Sequence, residues 1–165
     1  MRMGIKLKPI GAIHSPFKEK VETPIQPFRS RAIGEIKVFE EFAEGLQDIE
    51  KFSHIIILYL FHKSNGFNLL VKPFMDNDLR GLFATRHPAR PNPIGLSVVE
   101  LIGRKGSTLR VKGIDVIDGT PLLDIKPFVP AFDNAKNVNI GWLEKRIKGG
   151  FYKRNQSKKK KRREK

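Results

Sequence analysis

Cysteine is missing from all 165 residues. Its absence removes disulfides, thiolate zinc sites, iron–sulfur clusters and a covalent thiolate intermediate from the possible chemistries. Histidine is scarce and scattered: His14, His54, His62 and His87 form no H-x-x-x-H or similar pair, so no dedicated metal site is expected. No apolar run approaches the ~20 residues a membrane span requires. Met1 to Lys8 lacks the apolar core of a signal peptide, and a cytoplasmic protein is expected. Neither G-x-G-x-x-G after a first strand nor G-x-x-x-x-G-K-[ST] occurs, which disfavours a Rossmann crevice and a P-loop. A G-x-S-x-G nucleophile elbow is also absent.

Acidic residues are in short supply, 17 against 32 Lys and Arg, for a net charge of +15. Residues 151–165 hold nine basic side chains and one Glu. The excess is therefore split almost evenly between a short tail and the body. A basic body with a denser basic cluster points to a polyanionic partner, nucleic acid first. A solubility tail, or lysine enrichment from heat adaptation, would produce the same composition. Length and patterning predict one domain over 5–150 and a basic, disordered tail over 151–165, including Lys158, Lys159, Lys160, Lys161, Arg162 and Arg163.

The most informative stretch runs from Thr85 to Ser97. Pro88, Pro91 and Pro93 each lack a backbone donor and fix their own φ, and each restricts its predecessor to extended or turn geometry. Helix is excluded from Arg86 to Pro93. A stiff loop results, able to hold Arg86, Arg90 and Asn92 in set directions at little further entropic cost. A purely structural connection with solvated arginines would look the same.

Around this loop the pattern is that of strands. Residues 5–14 read as a strand with Pro9 at an edge or bulge, and 34–40 as a strand with one solvated face. Phe42, Leu46 and Ile49 recur at helical spacing, predicting a short core-facing helix over 40–51. The apolar run 53–62 predicts a central buried strand. Residues 95–102 and 109–117 predict two strands joined by a turn at Arg104 to Ser107. Asp118-Gly119 marks a tight turn into a further strand at Leu122 to Ile125. A closing helix is expected over 140–148, stopped by Gly149-Gly150. The expected fold is all-β and non-Rossmann: five to seven strands in a single-sheet antiparallel barrel with a few short helices.

Four stretches taken together resemble a known family. They are P-I-G-x-I-x-S-P near the start, D-I-x-x-F-S-H-I-I-I-L-Y-x-F-H-K, T-R-x-P-x-R-P-N-P-I-G-L-S, and D-G-T-P-L-L-D-I-K-P. In that order they are similar to the TsaA-like (TrmO) family over about residues 5–133. The resemblance implies a single-sheet β-barrel that acts as a homodimer. It implies S-adenosylmethionine-dependent methylation of tRNA, at N6 of N6-threonylcarbamoyladenosine beside the anticodon. Larger bacterial members carry an extra C-terminal domain, where this sequence has the basic tail.

By similarity, Pro24, Ile25, Gln26, His62, Lys63, Arg86, Leu96, Asp118, Gly119, Thr120 and Pro121 would line the cofactor pocket. Arg86 suits the methionine carboxylate, because a guanidinium forks onto two oxygens. Lys63 could share that role. Asp118 or the Thr120 hydroxyl could accept from the ammonium or ribose, and Leu96 could wall the adenine. Arg90 and Asn92 are assigned to the pocket mouth, for phosphate or target base. Asp124, opposite Lys126, is the candidate base, and Asn92 is a second candidate catalytic residue. A non-catalytic RNA-binding barrel, or a methyltransferase of another substrate, are the competing readings.

Overall fold

A computed structural model describes residues 4–24 and 30–148. Ile25 and Gln26 of the expected pocket, the stop at Gly149-Gly150 and the whole basic tail lie outside the described residues. Six strands close into one antiparallel barrel: β1 (Gly11–His14), β2 (Ile33–Val38), β3 (His54–Leu60), β6 (Ile94–Lys105), β7 (Thr108–Lys112) and β8 (Thr120–Pro127). Their order around the wall is β1-β2-β7-β6-β3-β8. Two further strands, β4 (Leu70–Val71) and β5 (Arg80–Gly81), form a separate small hairpin in the long connection between β3 and β6. The helices α1 (Pro130–Asp133) and α2 (Leu143–Lys148) follow the barrel. Among the described residues no helix is long and apolar enough to cross a membrane.

Period-two alternation sets the wall. Ile36 and Val38 of β2, Ile55, Ile57 and Tyr59 of β3, Val99 of β6, Leu109 and Val111 of β7, and Leu122 of β8 all point inward and are buried. A one-residue slip in any strand would turn this set out to solvent, so the register is strongly fixed.

Several expectations are corrected. Residues 4–10 form no strand; pairing starts at Gly11, because Pro9 has no N–H to extend the ladder. The segment over 40–51 is not one α-helix but two 3-10 pieces, Glu40–Leu46 and Ile49–Lys51. The left-handed backbone of Asp48, φ 68°, breaks it. Leu46 nevertheless faces the core as expected, with Phe42 and Ile49 packed against it. Strand β7 ends at Lys112 rather than continuing to 117. Gly113 takes φ 92° there, a region open to glycine, and turns the chain out of the sheet. Helix α2 starts at Leu143 rather than 140, after Gly141 at φ 57°.

The register also sorts the loops. Ile13 pairs with Thr120, His14 with Glu35, Ile33 with Lys112, and Leu60 with Ile94. One barrel end therefore receives segments 15–24, 30–32, 61–93 and 113–119. The other end carries the 3-10 pieces and the β6–β7 hairpin.

A buried clamp ties the C-terminal helix to the segment 61–93 at the first of these ends. The Asp76 side chain is fully buried and accepts from Arg80 Nε at 2.9 Å, from Arg80 Nη2 at 2.6 Å and from Arg146 Nη2. Trp142 Nε1 donates to the Ala84 carbonyl at 2.9 Å, which fixes the approach to Thr85. Burial raises the Asp76 pKa, but bonds from Arg80 and from the Asp78 and Asn77 N–H groups, with the charge of Arg146, outweigh it and bring the pKa to about 2.

Candidate functional site

Thr85 to Pro93 contains neither helix nor strand, as three prolines require. Its stiffness has a second source. The half-buried Arg90 guanidinium donates through Nη1 to the carbonyls of Thr85 at 2.9 Å and Leu82 at 3.3 Å, with a long contact to His87, and stacks on Phe83. Arg90 thus braces the loop it belongs to, a use of the side chain that the pocket-mouth assignment did not include. Arg86, by contrast, is exposed and has neither a hydrogen bond nor an ion pair among the described residues. Asn92 is exposed, and its backbone carbonyl accepts from Ile94 N at 2.8 Å.

The other expected residues fall at the same barrel end. His62 and Lys63 are exposed just beyond β3, with Lys63 Nζ donating to the Lys18 carbonyl at 3.3 Å. Asp118 accepts from Lys18 Nζ at 2.5 Å and from Ser15 N at 3.1 Å, and sits 3.3 Å from His14 Nδ1. The Lys18 and Ser15 bonds lead in lowering its pKa to about 2. Asp118-Gly119 is not a hairpin between paired strands: β7 and β8 are not neighbours. Instead Gly119, at φ 75°, donates to the Ile13 carbonyl and leads the chain into β8. Thr120 is buried, its hydroxyl donating to Ile117 O at 2.6 Å. Pro121 pairs with Ala12, and Pro24 is half-buried near the end of the first described stretch.

Two expected residues stand apart from this cluster. Leu96 is on the outer face of β6, 49 % exposed, between the inward-facing Gly95 and Ser97. Asp124 lies on the outer face of β8, where one oxygen pairs with Lys126 Nζ at 2.7 Å and the other accepts from Ile125 N.

What the sequence reading missed lies inside the barrel mouth. The hydroxyls of Tyr59 and Ser97 are 3.0 Å apart, and Ser97 Oγ donates to Asp115 Oδ1 at 2.7 Å. Tyr59 and Ser97 are buried, and the Tyr59 ring lies across Gly95, its register partner. Burial, then the charge of Asp115, pushes the Tyr59 phenol well above its ordinary range. Burial also raises the Asp115 carboxyl to about 6, against the lowering effect of the Ser97 bond, its own backbone N–H and the Arg86 charge. Tyr59 and Ser97 were inside the informative motifs, but as members of strands. Asp115 lies between Ile114 and Val116, in a run that read as one continuous strand. The signal that could have found it is Gly113, where the alternation set by Leu109 and Val111 slips by one residue.

These shifts have opposite effects on stability. Asp76 and Asp118 bind protons less readily when folded, so their contribution is present above their unfolded value of 3.8 and is lost as pH falls toward 2. Asp115 binds its proton more readily when folded, so its term weakens the fold as pH rises from 3.8 to about 6. Melting temperature followed against pH should rise steeply from pH 2 to 4. Asp115→Asn should remove a decline between pH 4 and 6, seen as a difference from wild type.

Among the described residues no three His, Asp or Glu side chains gather as a metal site. Among the described residues the arrangement instead offers the Arg86 guanidinium without a bonded partner, the half-buried carboxylates of Asp115 and Asp118, and stiff loops on a closed barrel.

Comparison with known proteins bears on what that arrangement does. The family profile of the tRNA-methyltransferase O N-terminal domain matches residues 12–134. A probable S-adenosyl-L-methionine-binding protein of Pyrococcus abyssi is 59 % identical over 141 residues, 85 % of this chain and 77 % of that protein. The tRNA (adenine(37)-N6)-methyltransferase of Mus musculus is 39 % identical over 81 % of this chain, which spans 33 % of the mouse protein. The crystal structure of TrmO from Pseudomonas aeruginosa superposes with a TM-score of 0.71 at 39 % identity, over 85 % of this chain and 63 % of that one.

Proposed function

We propose, from the premise that this chain belongs to the tRNA-methyltransferase O N-terminal domain family, that it is an S-adenosylmethionine-dependent tRNA methyltransferase. Its substrate in this reading is N6-threonylcarbamoyladenosine beside the anticodon. The observation that carries the reading is the exposed Arg86 guanidinium, without a protein partner among the described residues, on a braced loop. A cation held ready in this way suits a carboxylate, and the donor's amino-acid end supplies one. The residues present fit the donor in a second respect: loops from three parts of the chain meet at one barrel end, leaving adjustable polar groups there.

When bound, S-adenosylmethionine supplies a methyl group already activated by a sulfonium. The protein's task is then mostly placement. Arg86 fixes the amino-acid end, with Lys63 as a nearby point charge. The backbone of Asp118 to Pro121, tied to β1, offers groups to the ribose side. The N6 proton of a carbamoylated adenine is acidified by purine and carbonyl together, so water suffices as its acceptor. Both oxygens of Asp124 are engaged with Lys126 and Ile125 N–H, which argues against Asp124 as that acceptor. A loop adenosine is extruded at lower cost than a paired one.

The decisive test is transfer of labelled methyl to tRNA with and without the threonylcarbamoyl group. Transfer only to the modified tRNA supports the reading. Donor binding with no transfer to either leaves an RNA-binding barrel. Transfer to the unmodified tRNA alone assigns another substrate.

The tail enters the reading as an electrostatic grip. Deleting residues 153–165, which hold nine Lys and Arg, should weaken tRNA binding and reduce the slope of log affinity against log salt. Cofactor affinity should stay the same. Filter binding over a salt series measures both terms, and an unchanged slope removes the tail from recognition.

A homodimer is part of the same proposal. Between Phe67 and Phe83, six large apolar side chains are exposed, Phe83 at 72 %, more than one segment of a monomer ordinarily shows. Sedimentation velocity should find a dimer that Leu70→Asp with Phe83→Asp dissociates. A wild-type monomer at all concentrations refutes it.

A further inference from the structure

We propose that Asp115 is the anionic residue that receives the positive charge of the methyl donor, opposite the Arg86 that receives its carboxylate. This rests on the donor reading above and adds a residue to it.

The protein is strongly basic, whereas S-adenosylmethionine carries two positive charges, ammonium and sulfonium, against one carboxylate. A cationic ligand entering a basic barrel end needs a negative group that is not already neutralised. Asp118 is neutralised: Lys18 Nζ lies 2.5 Å away and Ser15 N adds a second bond, with His14 close by. Asp76 is held between Arg80 and Arg146. The Thr120 hydroxyl already donates to Ile117 O, and its side chain is buried in the wall. Asp115 differs from all of these. Its carboxylate takes one side-chain bond, from the neutral Ser97 hydroxyl, and has no cation within 4 Å among the described residues.

The setting is built rather than incidental. Tyr59 on β3 and Ser97 on β6 are both buried and line up their hydroxyls behind Asp115 Oδ1, which fixes the carboxylate from the barrel side. Among the described residues, the charged and titratable groups that act on Asp115 are Arg86 from the proline loop and Tyr59 from the barrel wall. Arg86 lowers the Asp115 pKa by its charge without bonding to it. A zwitterionic amino-acid end offers one opposite charge to each of two such groups. An unpaired carboxylate in a desolvated position is costly to keep, and a bound cation removes that cost. The raised proton affinity of Asp115 is the same cost seen in the absence of the cation.

The test is calorimetric titration of the full chain with S-adenosylmethionine at pH 6 and pH 8, in buffers of different ionisation enthalpy. Wild type should release a fraction of a proton on binding at pH 6, from Asp115, a release that disappears at pH 8, where the carboxylate is already ionised. Asp115→Asn keeps an acceptor for Ser97. It should lose affinity by about 10- to 100-fold at pH 8 and release no proton. Ser97→Ala removes a bond to the ionised carboxylate, so the midpoint of proton release should move to higher pH. S-adenosylhomocysteine separates the two positive charges: an equal loss for both ligands in Asp115→Asn assigns the ammonium, a loss confined to the donor assigns the sulfonium. Equal donor affinity and equal proton release in wild type and Asp115→Asn would overturn this assignment and leave the donor reading standing. Absence of donor binding by wild type would overturn both.

Discussion

Arg86→Ala should bind S-adenosylmethionine about 50-fold more weakly than wild type, or worse, with its melting temperature within about 2 °C of wild type. The two halves of this expectation have one cause. The guanidinium is exposed and bonds to nothing among the described residues, so its removal leaves no buried group unsatisfied. The proline loop keeps its shape without it, because Arg90 and three prolines hold that shape. Arg86→Lys should recover only part of the affinity, since an ammonium cannot fork onto two carboxylate oxygens. Calorimetric titration and a thermal melt of the same preparations measure both halves. Wild-type affinity in Arg86→Ala would remove the loop from the cofactor site.

Gly95→Ala should act in the opposite way, on the fold before the site. A β-carbon at Gly95 would come 2.2 Å from the Tyr59 ring edge and 2.5 Å from its Cζ, far inside contact distance. Tyr59 is buried against this strand, packed edge-on to Phe61 at 5.3 Å and tied to Ser97, so the ring has no easy way out. The overpacking should cost about 3 kcal/mol, or ~6–12 °C in melting temperature for a chain of this size. It should also separate Tyr59 from Ser97. Tyr59→Ala in the Gly95→Ala background should then cost less than Tyr59→Ala alone, a coupling that a double-mutant cycle reads directly. Additive costs would show that the ring and the glycine are independent.

The barrel was readable because its strands obey a simple rule. Alternation in 34–40, 53–62 and 95–102 separates a buried face from a solvated one, and Gly106 supplies the turn that joins β6 to β7. The rule was harder to apply where local geometry ended an element. Gly113 stops β7, and the buried positions slip by one residue there, from Leu109 and Val111 to Ile114 and Val116. Asp48 splits a helical spacing into two 3-10 turns. In both places one residue's φ decided what five or six neighbours suggested otherwise.

The site divides in the same way. Proline chemistry in 85–93 alone dictated a loop without helix or strand, because it is a property of single residues and their immediate neighbours; the pairing proposed for Arg86 drew on residue type together with the family resemblance. Composition likewise determined that no thiol or disulfide chemistry is available. Which arginine is free and which is a brace depended on carbonyls that Arg90 reaches within the folded loop. The gathering of 15–24, 30–32, 61–93 and 113–119 at one mouth followed from antiparallel closure of six strands. The Tyr59–Ser97–Asp115 chain joins residues 18 and 38 positions apart. Such contacts depend on barrel register and on burial, which one-dimensional spacing does not encode.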